Sequence, residues 1–200
     1  MPKNILNNAY EQMGQTEKMW QSIEPPWRPS LRECLFCDDK IKEFAKEGRK
    51  IKALILGATP EWRDLLHMNE ADITLLDAKE VMYVAMTKIL RYKPVAEKLV
   101  VGNWLKADEI LSGQQFDIII SDRPHDNIKF KDWPKLWGGL KKLLKPNSIF
   151  LLSISNNDFD KKTTLADLLE LYRNNPDKFK YHHQRIMYIY SIAPDCKAYN

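Results

Sequence analysis

Residues 51–62 read IKALILGATPEW, an apolar run that stops at Gly57 and turns at once into Thr59-Pro60-Glu61. A short continuous apolar run closed by a turn residue is the mark of a strand covered on both faces. Outward from it the same character returns in DITLLD (72–77), KLVVG (98–102), FDIIIS (116–121) and SIFLLSIS (148–155). The intervening pieces Pro60–Met68, Lys79–Leu90, Leu105–Leu111 and Asp132–Leu144 are long enough for crossover helices. Strand and helix alternate, which predicts an α/β fold with a doubly wound, mostly parallel sheet.

On the amino-terminal side, Ile5, Leu6, Ala9, Met13, Met19, Trp20 and Ile23 recur at loose helical spacing, and Pro25, Pro26 and Pro29 then break the helix. Ser30 is placed to cap a second helix reaching Lys46, with Leu31, Leu35, Ile41, Phe44 and Ala45 on one side. Beyond the fifth strand, a helix from Thr163 or Thr164 to Tyr172 and an antiparallel pair within FKYHHQRIMYIYSI (179–192) are expected. The division predicted is a helical extension over 1–50 and a sheet domain of seven strands over 51–200.

The totals narrow the function. Two hundred residues at 44% hydrophobic content suffice for one core. The net charge of +4 comes from 31 basic and 27 acidic side chains, too mild and mixed to require nucleic acid. A basic band at Lys40, Lys42, Lys46, Arg49, Lys50 and Lys52 reads as a solvated face, with an RNA footprint the less favoured alternative. The start, MPKNILNNAYEQMGQ, does not resemble an export signal, and no apolar run reaches membrane-spanning length, so a soluble cytoplasmic protein is expected. Cys34 and Cys37 form a lone C-x-x-C with Cys196 far away, and His182 and His183 point to opposite faces of a strand; no metal site is expected.

In a doubly wound sheet, ligands lie at the carboxyl ends of the strands where the order reverses. Gly57 belongs there: without a side chain it admits close approach of a ligand, while Thr59 is placed to cap the next helix and Pro60 suits its first position. The string Gly57-Ala58-Thr59-Pro60-Glu61 is not the G-x-G-x-x-G of a dinucleotide site, and Glu61 would repel phosphate. A phosphate-free cofactor bearing a cationic sulfonium suits this turn better than NAD. Asp77 closes the second strand twenty positions after Gly57, placed to accept from both hydroxyls of a ribose; a helix cap is its plainer reading. Asn103 is then available to an adenine amino group and Trp104 as an apolar wall.

Taken in order, LILGATPE, ITLLDAKEVMYVA, GNW with FDIIISD, and LKKLLKPNSIFLLSI resemble the successive motifs of the class I S-adenosylmethionine-dependent methyltransferases, over Ile51 to Ser155. The sequence departs from the family pattern where Thr59 and Glu61 replace glycines, where an acidic residue of the first strand is missing, and where Asn147-Ser148 replaces Gly-Gly; Asn147 still tolerates a left-handed turn. The resemblance implies S-adenosylmethionine as cofactor, held by Gly57, Ala58, Thr59, Asp77, Ala78, Asn103, Trp104 and Asp122. After the fourth strand, SDRPHDN (121–127) sets Asp122 and His125 at the crevice rim as candidate proton-accepting catalytic residues; Arg123 and His125 do not match the Asn/Asp-Pro-Pro-aromatic pattern of the family's amine-modifying members, so the motif does not point to amine N-methylation. Trp27, Arg28 and Arg123 would contact a small-molecule acceptor, with the extension as a lid. A noncatalytic binding or scaffold protein on the same fold, and an RNA or protein methyltransferase, are the alternatives.

Overall fold

A computed structural model describes residues 16–23, 25, 28–45, 50–92, 96–154, 170 and 173–174. Its compact units are Met1–Ile154 and Ser155–Asn200, and the elements below belong to the first. Helical residues 16–22 (α1) and helix α2 (Leu31–Ala45) precede β1 (Lys52–Leu56), α3 (Pro60–Met68), β2 (Asp72–Asp77), α4 (Glu80–Thr87) and β3 (Glu97–Val101). A 3₁₀ turn (Trp104–Lys106) runs into α5 (Ala107–Ile110), followed by β4 (Phe116–Asp122), α6 (Trp133–Lys142) and β5 (Leu144–Ser153).

The five strands are parallel, in the order β3-β2-β1-β4-β5. The order reverses between β1 and β4, so the crevice opens where Leu56 pairs with Leu76 on one side and Ser121 on the other. The expected sixth and seventh strands and the helix ending at Tyr172 fall largely outside the described residues.

Burial on both faces explains the continuous apolar runs. Ala53, Ile55, Ile73, Leu75, Ile118 and Ile120 pack under α2 and α3; Leu54, Leu56, Leu76 and Ile119 point the other way, towards α5 and α6. Each buried leucine or isoleucine contributes about 1.5–3 kcal/mol of transfer free energy. Trp137 packs on Phe150 with ring centroids 5.7 Å apart, as a helix residue rather than a base-stacking platform.

Ser30 caps α2 as its sequence predicts, in a reciprocal box: Glu33 N–H donates to Ser30 Oγ at 3.2 Å and Ser30 N–H donates to Glu33 Oε2 at 2.8 Å. Of the side of α2 expected to meet the core, Ile41, Phe44 and Ala45 do so, together with Cys34 and Cys37. Leu31 and Leu35 depart from the expectation and are 76% and 57% exposed. In the first turns of the helix the Cys34–Cys37 positions take the place of the leucines. Burial pushes the Cys34 thiol up to about 11 and the Cys37 thiol up to about 12, which leaves both protonated and poorly nucleophilic at neutral pH. In the basic band, Lys40 pairs with Glu43 and Lys42 with Asp38.

The largest buried polar structure went unread in the sequence. Arg63 on α3 and Glu97 at the start of β3 form an ion pair whose side chains are both fully buried. Arg63 Nε donates to Glu97 Oε1 at 3.0 Å, Arg63 Nη2 donates to Thr87 Oγ1 at 2.7 Å, and the His67 ring meets Glu97 Oε1 at 2.8 Å. The guanidinium also lies over the Tyr83 ring at 4.6 Å. Among the described residues, no helix is long and apolar enough to cross a membrane.

Candidate functional site

Gly57 ends β1 with φ of +92°, a left-handed conformation that only glycine adopts without strain. Its N–H donates to Leu76 O at 2.9 Å, and one strand further out the Gly102 N–H donates to Asp77 O at 2.8 Å. These bonds stitch the carboxyl ends of β1, β2 and β3 into one edge. A Cβ placed on Gly57 would lie 4.0 Å from Asp77 Oδ2 and 3.6 Å from the six-membered ring of Trp104. Gly57, Asp77 and Trp104 therefore converge, as the strand order requires. Gly57→Ala is expected to cost about 1–2 kcal/mol of stability through φ alone, since the space around Cβ is ordinary. Denaturant unfolding checks this; an unchanged midpoint would mean the turn relaxes freely.

The Asp77 carboxylate divides its work. Oδ1 accepts from the Lys79 N–H at 2.9 Å and so holds the turn into α4, while Oδ2 faces Gly57. Burial raises its pKa, opposed by the N–H groups of Lys79 and Ala78. Ala78 itself is exposed. Trp104 is held in place because its Nε1–H donates to Leu76 O at 2.8 Å, which lays the indole against the Gly57 turn. Asn103 stands beside it, exposed, and its Oδ1 accepts from Leu105 N–H at 2.9 Å as the cap of the 3₁₀ turn. That oxygen is the atom an adenine amino group would need, so one of its lone pairs is already engaged.

Thr59 occupies the cap position of α3 with Pro60 following, and its carbonyl accepts the first helix bond, from Arg63 N–H at 3.3 Å, but its hydroxyl makes no cap hydrogen bond. Ala58 and Thr59 are buried, and Trp20 of α1 packs with Ala58, Ala85 and Met86. Helix α1 thus packs against the turn after β1. Glu61 is its anchor: Arg28 pairs with Oε1 at 2.8 Å and Trp20 Nε1–H donates to the same oxygen at 3.3 Å. Burial raises the Glu61 pKa, and its own backbone amide, Arg28 and Trp20 work against this. Trp27 lies outside the described residues.

At the far side of the crevice, Asp122 ends β4 and Arg123 follows with φ of +42°. Arg123 turns its guanidinium inward, 3.5 Å from Asp122 Oδ1 and 4.0 Å from Asp126 Oδ2, and its N–H donates to Ser153 O at 3.1 Å. It is buried, so it stands as a charge partner of Asp122 more readily than as an open contact for an acceptor. Glu33 Oε1 accepts from Ser153 Oγ at 2.6 Å and ties α2 to the end of β5. His125 lies in the 3₁₀ turn Pro124–Asn127, its side chain outside the described part of the structure.

Burial pushes Asp122 up to about 6; Arg123 opposes the shift, and the charges of Glu33 and Glu61 add to it. Because the folded pKa lies above the unfolded value near 3.8, the stability linked to this group is present at low pH and is lost as pH rises through about 6. Asp122→Asn is therefore expected to stabilise the protein by about 2 kcal/mol at about pH 8 and by little at about pH 4. Urea unfolding across that range checks it; a variant less stable at the higher pH would show that Arg123 outweighs burial.

Arg28 and Glu33 owe their places to the proline connector and the capping box, and the Ser30-x-x-Glu33 spacing was the signal that could have brought Glu33 to notice. Asn147, at φ of +60°, adopts the left-handed turn its sequence position predicts.

No family model and no curated protein matches this sequence. Solved structures do. A TehB-like S-adenosylmethionine-dependent methyltransferase from Corynebacterium glutamicum is similar at 12% identity and a TM-score of 0.52, over 82% of each chain. The glycopeptide N-methyltransferase MtfA is similar at 18% identity and a TM-score of 0.47, over 64% of this chain and 56% of its own. An S-adenosylmethionine-dependent methyltransferase from Agrobacterium tumefaciens gives 16% identity and 0.49, over 72% and 50%. The chain thus spans little more than half the length of MtfA. Together with the strand order and the convergence on Gly57, the first of these likenesses shows that the chain has the class I S-adenosylmethionine-dependent methyltransferase fold.

Proposed function

We propose that this chain is an S-adenosylmethionine-dependent methyltransferase acting on a small-molecule acceptor. The observation that carries the reading is the meeting of a left-handed Gly57, the Oδ2 of a buried Asp77 that faces it, and the Trp104 indole at the reversal of strand order. These groups fit the cofactor's adenosine: the glycine leaves the space a Cβ would take, Asp77 accepts from ribose hydroxyls, and Trp104 supplies an apolar wall. MtfA, whose fold is similar, has been crystallised with S-adenosylmethionine, S-adenosylhomocysteine and sinefungin.

When bound, the cofactor supplies an electrophilic methyl group on a sulfonium. The chain's part is to hold and orient. Glu33, Glu61 and Asp122 outnumber Arg28 and Arg123 around the crevice, which favours cationic ligands over phosphates. Asp122 is the group placed to take a proton from an acceptor; with a pKa near 6 it is ionised at neutral pH and still basic enough to serve. The rate of methyl transfer is then expected to rise with pH through about 6.

A specific feature favours the noncatalytic reading as second choice: Trp104 is bonded to Leu76 across the Gly57 turn and Asn103 Oδ1 is engaged, so a nucleoside has to share this space with an indole. Thermal unfolding with S-adenosylhomocysteine separates the two. Binding to the native state alone raises Tm with concentration, by about 2.7 kcal/mol of stability at a hundredfold excess over Kd. A Tm that stays flat at millimolar ligand, while sinefungin and S-adenosylmethionine also leave it unmoved, would defeat the leading reading.

A further inference from the structure

A cleft of about 940 Å³ lies between α2 and α3, next to the crevice and separate from Gly57, Asp77 and Trp104. Its walls explain the exposed stripe on α2. Leu31 and Leu35 face Leu65 and Met68 of α3 across it, and Tyr92 flanks it. Leu31, Leu35, Met68 and Tyr92 are between 45% and 76% exposed, an accumulation of open apolar surface that isolated packing does not require. The volume is that of a small-molecule site, and its walls mix apolar side chains with polar ones, among them Gln21 and Arg91.

The polar groups say which end of a ligand goes where. Glu61, at the first turn of α3, forms the inner wall together with Arg28. Its Oε1 is taken by Arg28 and Trp20, whereas its Oε2 is buried and has no hydrogen-bond partner among the described residues. A buried carboxylate oxygen without a donor costs about 1–3 kcal/mol, more for an ionised group, until a donor arrives. Asp64 lies one turn further along the same wall; both its oxygens accept backbone N–H bonds, from Arg91 and Tyr92, so its negative charge is fixed in place. Asp38, also in the wall, is neutralised by Lys42. The donor that Glu61 lacks is therefore best supplied by a ligand, and an N–H⁺ group does this with charge assistance.

We propose that this cleft is the acceptor site, and that it takes an amine carried on an apolar, aromatic-sized body: the body lies between Leu31, Leu35 and Met68, and the ammonium donates to Glu61 Oε2. Calling the ligand an acceptor rests on the methyltransferase reading; its chemistry does not. Glu61 sits two residues after Thr59 at the end of β1 that opens the crevice, and its charge acts on Asp122.

The test uses the full chain without cofactor and a matched set of indoles as probes, followed by calorimetry: tryptamine, the uncharged alcohol tryptophol, and indole-3-propionate. Tryptamine is expected to bind saturably at one site, with the alcohol and the carboxylate each weaker by about tenfold or more. Glu61→Gln, which keeps the shape of the side chain, is expected to erase the preference for the amine, and Leu35→Arg on the exposed rim to weaken all three probes. Equal or tighter binding of the carboxylate would overturn the proposal, as would a lack of saturable tryptamine binding by a protein whose thermal unfolding is intact. If tryptamine binds while S-adenosylhomocysteine does not, the cleft stands and the methyltransferase reading falls; the reverse outcome removes the cleft alone.

Discussion

Glu97→Ala is expected to lower the unfolding free energy by about 3–5 kcal/mol, the largest single loss among the substitutions considered. The side chains of Glu97 and Arg63 are both fully buried, so removing the carboxylate strands a guanidinium whose partners among the described residues are then Thr87, the Tyr83 carbonyl and the Tyr83 ring. The cost arises from the abandoned charge rather than from the pair's own strength. Replacing both residues with apolar ones of similar volume is accordingly expected to recover most of the loss. Urea unfolding of the single and double variants measures both quantities. A single variant within about 1 kcal/mol of the parent would mean that water reaches Arg63 and that the pair is not sealed between α3, α4 and β3.

Asp77→Asn separates binding from folding. The side chain keeps an acceptor for the Lys79 N–H, so the turn into α4 survives. Burial raises the pKa of the carboxylate, so ionised Asp77 costs the free protein stability at neutral pH, and a neutral amide is expected to leave Tm equal or higher. Affinity for S-adenosylmethionine should move the other way. Charge-assisted bonds to two ribose hydroxyls are worth about 1.5–3 kcal/mol each, so a fall of about thirtyfold or more is expected by calorimetry. Unchanged affinity would reduce Asp77 to a turn cap, the plainer role its sequence also allows.

The two substitutions mark what was legible in the sequence. Asp77 could be found because strand ends are written in order: an apolar run, an acidic residue, then a helix, at a spacing set by the βαβ unit. Gly57 and the parallel strands β1 to β5 were legible for the same reason, since burial on both faces leaves an unbroken apolar string. Arg63 and Glu97 were not, because they are 34 residues apart and each, read alone, passes for a surface charge. Only the stacking of α3, α4 and the first residue of β3 brings them together. Leu31 and Leu35 failed in the opposite direction. Their helical spacing suggested a packing stripe with Ile41, Phe44 and Ala45, but only the latter three reach the core, and Cys34 and Cys37 take the leucines' place in the first turns. Thr59 likewise has the right position for a cap, yet its hydroxyl makes no cap hydrogen bond. Local chemistry named the elements and the edge of the sheet; contacts between distant segments were decided by packing, which a single sequence does not display.

The basic band illustrates the same limit for partners. Lys40 and Lys42 read as a possible footprint for RNA, yet Glu43 and Asp38 are spaced to neutralise them along the helix. What remains around the crevice is an excess of carboxylates, suited to a sulfonium and to an amine.

The central claim, that an adenosine is held over Gly57, is tested most directly by a crystal structure of the chain with S-adenosylhomocysteine. The predicted result is density for the nucleoside at the carboxyl ends of β1 and β2, with its ribose hydroxyls on Asp77 Oδ2 and the Trp104 indole against the base or displaced by it. A ligand bound elsewhere, with Trp104 still bonded to Leu76 and closed on Gly57, would contradict it.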